Sequence, residues 1–122
     1  MPPIASYEQL KRLEKSIESF YALHPELREP FVIFLTMTKN SKVKYGYVFS
    51  WFTGADPRSN HLPRPEQKEL VNQLETAYSM IKKVSPQAIA NFGRVVRLHT
   101  DLGYNNIARL AMGETAEQLL EK

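Results

Sequence analysis

The segment from Gly54 to Pro65 most constrains the fold, because it holds three prolines and one glycine within twelve residues. Proline lacks a backbone N–H and fixes its φ angle, so neither a helix nor a strand is expected to run through this stretch. The segment therefore separates two halves of the chain that must each supply regular elements. Loops of this length in compact domains often carry function, so this segment is a candidate functional surface.

Composition indicates one ordinary globular domain spanning residues 1–122, with 43% apolar and 24% charged residues. The chain contains no cysteine, which excludes disulfide bonds, thiolate metal sites and a cysteine nucleophile. Its longest apolar run, residues 31–35, is far shorter than the ~20 residues that span a bilayer. Residues 1–5 lack the charged and apolar regions of a signal peptide. We therefore expect a cytoplasmic protein that makes no membrane contact.

Helix signals are clear at both ends of the chain. Ser6 and Gln9 have the spacing of a capping box, and the helix that they begin is expected to end near His24, where Pro25 and Pro30 follow. The apolar residues of this helix share one face: Leu10, Leu13, Ile17 and Phe20.

A second helix is predicted to begin at Pro65, where Glu66 and Glu69 complement its positive end. Ser85 and Pro86 suit the N-cap and first position of a third helix that ends at Gly103. A short helix through Ala111 and a C-terminal amphipathic turn complete the chain. The apolar stripes of the second and third helices are Leu70, Leu74, Ala77, Ile81 and Val84, then Ile89, Phe92, Val96 and His99.

Two runs rich in β-branched and aromatic residues, 31–39 and 43–52, predict an antiparallel β-hairpin. Asn40 and Ser41 lie between them as turn formers, and pairing 39 with 43 gathers most apolar residues on one face. An isolated hairpin is marginal in water, so helices must cover this face. The predicted fold is α+β: a single antiparallel β-hairpin packed against about four helices, in the order α-β-β-α-α-α.

Positive charge is concentrated in the middle of the chain. The formal net charge is +3, and residues 31–65 hold five basic residues against one acidic residue. Three of the basic residues cluster at the predicted hairpin tip, and the others follow in the proline-containing loop. The residues predicted to contact a partner or nucleic acid are Lys39, Lys42, Lys44, Arg58, His61 and Arg64.

These features predict a non-enzymatic binding or accessory protein that acts through a protein partner or through self-association, without a cofactor or metal. The alternative is a nucleic-acid-binding protein, because aromatic rings on a strand stack bases while lysines hold phosphates. The aromatic residues concerned are Tyr45, Tyr47, Phe49 and Trp51. A domain with one hairpin also needs such a face for its core, and the sequence leaves the choice open.

Catalysis finds little support in the sequence. Common phosphate-binding, dinucleotide-binding, serine-hydrolase and zinc-protease motifs are absent. The three histidines lie too far apart in sequence to form a ligand pair. A distant alternative is a small enzyme that uses Asp56 and His61 of the loop for proton transfer. A helix-turn-helix around residues 107–111 is rejected, because the segment that would enter the DNA groove is acidic.

Overall fold

A computed structural model describes residues 5–121, and all regular secondary structure in this range is helical. The α-helices in chain order are α1 (Tyr7–Leu23), α2 (Arg28–Asn40), α3 (Tyr45–Thr53), α4 (Lys68–Val84), α5 (Pro86–Leu98), α6 (Tyr104–Ala111) and α7 (Ala116–Leu120). Single 3₁₀ turns occupy Pro25–Leu27, Ser59–His61, Pro65–Gln67 and Thr100–Leu102. None of the helices between residues 5 and 121 is long and apolar enough to cross a membrane.

The predicted β-hairpin is wrong, and with it the α+β class and the order α-β-β-α-α-α. Residues 31–39 lie within α2, and residues 45–52 lie within α3. The turn between these helices, residues 41–44, takes the place of the predicted hairpin turn. The described chain therefore forms a helical bundle without strands.

Side-chain burial explains why helices form where strands were expected. Phe31, Phe34, Leu35 and Thr38 are the buried residues of α2, at spacings that place them on one helical face. A strand would direct Phe34 and Leu35 to opposite sides. A helix also satisfies its interior backbone hydrogen bonds internally, whereas a lone hairpin leaves two unpaired edges. Strand propensity depends on context, and here helix packing outweighs it.

Several predicted helix boundaries are confirmed. The Ser6 hydroxyl accepts a hydrogen bond from the Gln9 backbone N–H (3.2 Å), and the Gln9 side chain accepts one from Ser6 N–H (2.9 Å). Helix α1 then ends at Leu23, one residue before the predicted His24. Ser85 caps α5 as predicted, through a hydrogen bond from Ala88 N–H (3.2 Å).

Other details of the predicted helices differ from expectation. Helix α5 ends at Leu98, and a 3₁₀ turn separates it from Gly103, where the helix was predicted to end. Pro65 begins a 3₁₀ turn before α4 rather than α4 itself. Val84 is 72% exposed although it was assigned to the apolar stripe, because it is the last residue of α4. Terminal residues of a helix extend beyond the neighbouring elements and lose their packing partners.

Helices α3 and α5 pack closely at the centre of the core. The ring of Phe92 in α5 is fully buried, and its centroid lies 5.1–5.8 Å from the centroids of four other phenylalanine rings. These rings belong to Phe20, Phe31, Phe49 and Phe52. The next residue, Gly93, contacts the backbone of α3, since a β-carbon built there would lie 2.9 Å from the carbonyl carbon of Phe52 and closer still to its oxygen.

Tyr21 joins α1 to α6, because its buried hydroxyl donates a hydrogen bond to the Ala111 carbonyl oxygen (2.6 Å). Burial raises the pKa of Tyr21 from 10.0 to about 12. Above pH 10 the unfolded chain therefore loses the Tyr21 proton while the folded chain retains it, so rising pH favours unfolding.

We expect the free energy of unfolding to fall between pH 10 and about 12, by at most roughly 3 kcal/mol from this group. Denaturant unfolding at a series of pH values measures the effect, with Tyr21→Phe as the comparison. In the Tyr21→Phe variant, the free energy of unfolding should fall less steeply with pH, while the packing of the ring is retained. Equal slopes in the two proteins would contradict the prediction.

Candidate functional site

The turn between α2 and α3 lies against the proline-containing loop, and Gln67 connects them. The Gln67 side-chain amide donates hydrogen bonds to the carbonyl oxygens of Ser41 (3.1 Å) and Lys42 (3.2 Å). Lys42 adopts a left-handed backbone conformation (φ 60°), which tightens this turn. The contact brings two basic segments together that are separated in sequence by the whole of α3.

A groove of about 360 Å³ lies between these segments. We call it the basic groove, because Lys42, Lys44 and Arg64 line it; Asn60 and Glu66 also contribute. In the described part of the chain, no carboxylate lies within 4.0 Å of the three cationic groups. Their charges are therefore available to an external anion.

A second concavity of about 300 Å³, open to solvent, adjoins the groove at Lys44 and Asn60; we call it the inner cavity. It lies between the first turns of α3 and α6. Its lining residues are Lys44, Tyr45, Gly46, Asn60, His61, Gly103, Tyr104 and Asn105. The sequence had indicated Lys44 and His61 of this set as contact residues and Tyr45 as a candidate stacking residue. The α6 residues were missed as site residues, because only tertiary packing brings them here.

The His61 ring is held between α3 and α6. It contacts Tyr104 edge to face, with 5.7 Å between ring centroids. On the other side it covers Gly46, where a β-carbon would lie 2.9 Å from His61 Cγ and closer still to two other ring atoms. Glycine at position 46 therefore creates the space that the imidazole occupies. A glycine inside an aromatic-rich run was the one sequence signal that could have indicated this contact.

Asp56 and Arg58 lie earlier in the loop and line a third concavity of about 90 Å³, which His61 also lines. Asp56 and His61, the pair of the enzyme alternative, thus share one small space. No hydrogen bond joins Asp56 and His61 among the described residues. The Ser50 hydroxyl, which lines the same space, instead donates to the Tyr47 carbonyl oxygen (2.5 Å). The arrangement shows no aligned proton-transfer pair.

Lys39 is separated from these residues and lines none of the three concavities. It lies in the last turn of α2, near the pair formed by Arg109 and Glu114. The hydrogen bonds from Arg109 lower the pKa of Glu114, and the charge of Lys39 adds to this effect. The structure thus assembles Lys42, Lys44, Arg58, His61 and Arg64 around the loop and leaves Lys39 outside.

The aromatic residues of α3 mostly belong to the core. Phe49 is 1% exposed, and Tyr45, Tyr47 and Trp51 pack partly buried against the buried cluster. The Trp51 ring lies 5.6 Å from the Tyr78 ring, whose hydroxyl donates to the Trp51 carbonyl oxygen (2.7 Å). A row of exposed rings that could stack bases is not formed by this helix.

The other two histidines have structural partners. His24 Nε2 lies 3.0 Å from the Asn91 amide nitrogen, and His99 Nδ1 lies 2.8 Å from the Val95 carbonyl oxygen. Between residues 5 and 121, no three side chains of the metal-binding types come close enough to hold an ion together. The candidate site therefore consists of the basic groove and the inner cavity. Searches against protein-family models, curated proteins and solved structures find no match for this chain.

Proposed function

We propose that the protein is a non-enzymatic binding protein, without a cofactor, whose protein partner docks an acidic segment in the basic groove. One observation carries the proposal: Lys42 and Lys44 of the turn and Arg64 of the loop line one groove, and they have no carboxylate within 4.0 Å among the described residues. Such an arrangement attracts an anionic partner and orients it during encounter.

The shape of the groove favours an extended chain segment. Leu62 and Pro63 supply apolar surface beside the cations, and Leu62 is an exposed side chain. A peptide with acidic residues and an apolar side chain would match both components. A second copy of this chain is included among such partners. We also propose that the protein acts in the cytoplasm, in keeping with a chain that contains no cysteine.

Nucleic acid is the second candidate partner, because unpaired cations also bind phosphates. The packing of Tyr45, Tyr47, Phe49 and Trp51 against the core argues against it, since base stacking needs exposed rings. Catalysis by Asp56 and His61 is not proposed, because the space that they share is about 90 Å³ and no hydrogen bond aligns them in the described residues.

The test compares two variants with equal loss of charge. The groove variant combines Lys42→Gln, Lys44→Gln and Arg64→Gln; the control combines Lys82→Gln, Lys83→Gln and Arg94→Gln, which are exposed positions of α4 and α5. The probe is a fluorescent decamer of glutamate, measured by anisotropy at low and moderate salt. We expect the groove variant to bind roughly tenfold or more weakly, since each exposed charge contact contributes up to about 1 kcal/mol. The control should change less than threefold.

Equal losses in the two variants would show that only overall charge matters, and would overturn the proposal. So would an absence of binding by the unmodified protein at submillimolar concentration. A single-stranded DNA decamer that binds more tightly than the peptide, and depends on the same residues, would favour the nucleic-acid candidate instead. Circular dichroism and thermal unfolding verify that both variants fold.

A further inference from the structure

We infer that the inner cavity binds a phosphomonoester, so that the docking segment of the partner carries a phosphorylated serine or threonine. The inference rests on the proposed function, because the cavity adjoins the basic groove and shares Lys44 and Asn60 with it. It adds a ligand class to the site: one dianionic group in the cavity, with flanking acidic residues along the groove.

The lining of the cavity is rich in hydrogen-bond donors and contains no acidic residue. Lys44, Asn60, His61 and Asn105 each contribute a polar side chain. None of these four side chains has a hydrogen-bond or ion-pair partner among residues 5–121, although their neighbours in the fold are extensively bonded. An anion would satisfy several of them at once.

The backbone also supplies hydrogen-bond donors at this cavity. Lys44 and Gly103 are the N-caps of α3 and α6, and neither helix has a side-chain cap. The first N–H groups of a helix lack partners within it, and its N-terminus carries partial positive charge. Two such ends therefore border the cavity that the four polar side chains already line.

The number and charge of these groups favour a phosphomonoester over the other anions. A phosphorylated side chain presents three acceptor oxygens and a charge of about −1.5 to −2 at neutral pH. A carboxylate offers two oxygens and one charge. A nucleic-acid phosphodiester likewise carries one charge and has two free oxygens, and its bases would find no exposed stacking surface on α3. The phosphomonoester uses the available donors most fully.

The first experiment is a titration of the full chain, followed by ¹H–¹⁵N NMR at constant ionic strength. The probes are O-phospho-L-serine and inorganic phosphate; L-serine, which lacks only the phosphate group, and acetate, a simple carboxylate, are the comparisons. Phosphoserine should produce saturable shifts of the backbone amides of Tyr45, Gly46 and Asn105. L-serine and acetate should not. Shifts spread over the whole surface, or equal effects of acetate, would overturn the inference.

A second experiment identifies the source of the phosphate group. A decapeptide with phosphoserine among glutamates should bind at least tenfold more tightly than O-phospho-L-serine and than the same peptide with unmodified serine. Inorganic phosphate that binds as tightly as the phosphopeptide would show a site for the free ion, and would overturn the assignment of a phosphorylated partner.

Three variants localise the binding. Lys44→Gln and Asn105→Ala remove donors at exposed positions, and Gly46→Ala displaces the His61 ring without changing any charge. Each should weaken phosphopeptide binding several-fold, up to about tenfold for Lys44→Gln. Lys83→Gln serves as the control and should leave it unchanged. If Gly46→Ala fails to fold, Asn105→Ala and Lys44→Gln still test the inference. Unchanged phosphopeptide binding in both of these variants would overturn it.

The outcomes separate this inference from the proposed function. If the glutamate decamer binds through the groove and phosphorylation adds no affinity, the proposed function stands and the inference fails. If phosphoserine binds in the cavity while the glutamate decamer fails to bind, the inference about the cavity stands and the proposed docking groove fails.

Discussion

Replacement of Phe92 by alanine is expected to lower the free energy of unfolding by about 3–5 kcal/mol. The side chain is 0% exposed, and its ring meets the rings of Phe20 in α1, Phe31 in α2, and Phe49 and Phe52 in α3. Removal of the ring leaves a cavity that three neighbouring helices border, so no single helix can move to close it. The loss of stability therefore includes the transfer free energy of the removed ring and the cost of the cavity that it leaves.

Urea denaturation followed by circular dichroism measures this loss. Phe92→Leu keeps most of the apolar volume and should cost clearly less than Phe92→Ala. Leu98→Ala removes a side chain that is 66% exposed at the end of the same helix, and should change stability by about 0.5 kcal/mol or less. A loss below about 1.5 kcal/mol for Phe92→Ala would show that the aromatic core repacks, contrary to this expectation.

Gly93→Ala should destabilise the protein on the order of 3 kcal/mol, although alanine is the better helix former by about 1 kcal/mol. The added methyl group would overlap the carbonyl group of Phe52. Because that obstacle is backbone, α3 must move away from α5, which also loosens the packing of Phe49 and Phe52 on Phe92. The steric cost therefore exceeds the gain in helix propensity.

The matched control is Ala90→Gly, one turn earlier on the exposed side of α5. It should lower stability by about 1 kcal/mol through propensity alone. The thermal unfolding temperatures of the two variants provide the comparison. An increase in stability for Gly93→Ala would mean that α3 and α5 are not in close contact at this position.

The sequence of α2 carries a helical periodicity beside its high strand propensity. Phe31, Phe34, Leu35 and Thr38 follow the spacing i, i+3, i+4 and i+7, which is typical of an amphipathic helix. The abundance of β-branched and aromatic residues favoured a strand instead. Propensity is a weaker guide than burial. The helices that pack against α2 are α3, α4 and α6, and the rings of Phe20 in α1 and Phe92 in α5 also contact Phe31. No local pattern reveals these partners.

Capping residues were predictable, because their chemistry acts within a few positions of the chain. Ser6 and Ser85 each bond a backbone N–H three residues onward, as their sequence context indicated. The basic groove was partly predictable in the same way, through the local excess of lysine and arginine. The inner cavity was not predictable, since Asn105 comes to line the same space as Lys44 and His61 only when α6 packs against α3.

The loop is attached at two points, through the Gln67 hydrogen bonds to residues 41 and 42 and through the His61 ring above Gly46. Leu62, Pro63 and Arg64 lie between these points, in the part that lines the groove. A partner that binds there meets a segment whose path is already fixed, so less conformational entropy is lost on association than with a free loop. Gln67, which also lines the groove, thereby links the affinity of the surface to the two hydrogen bonds that fix the path of the loop.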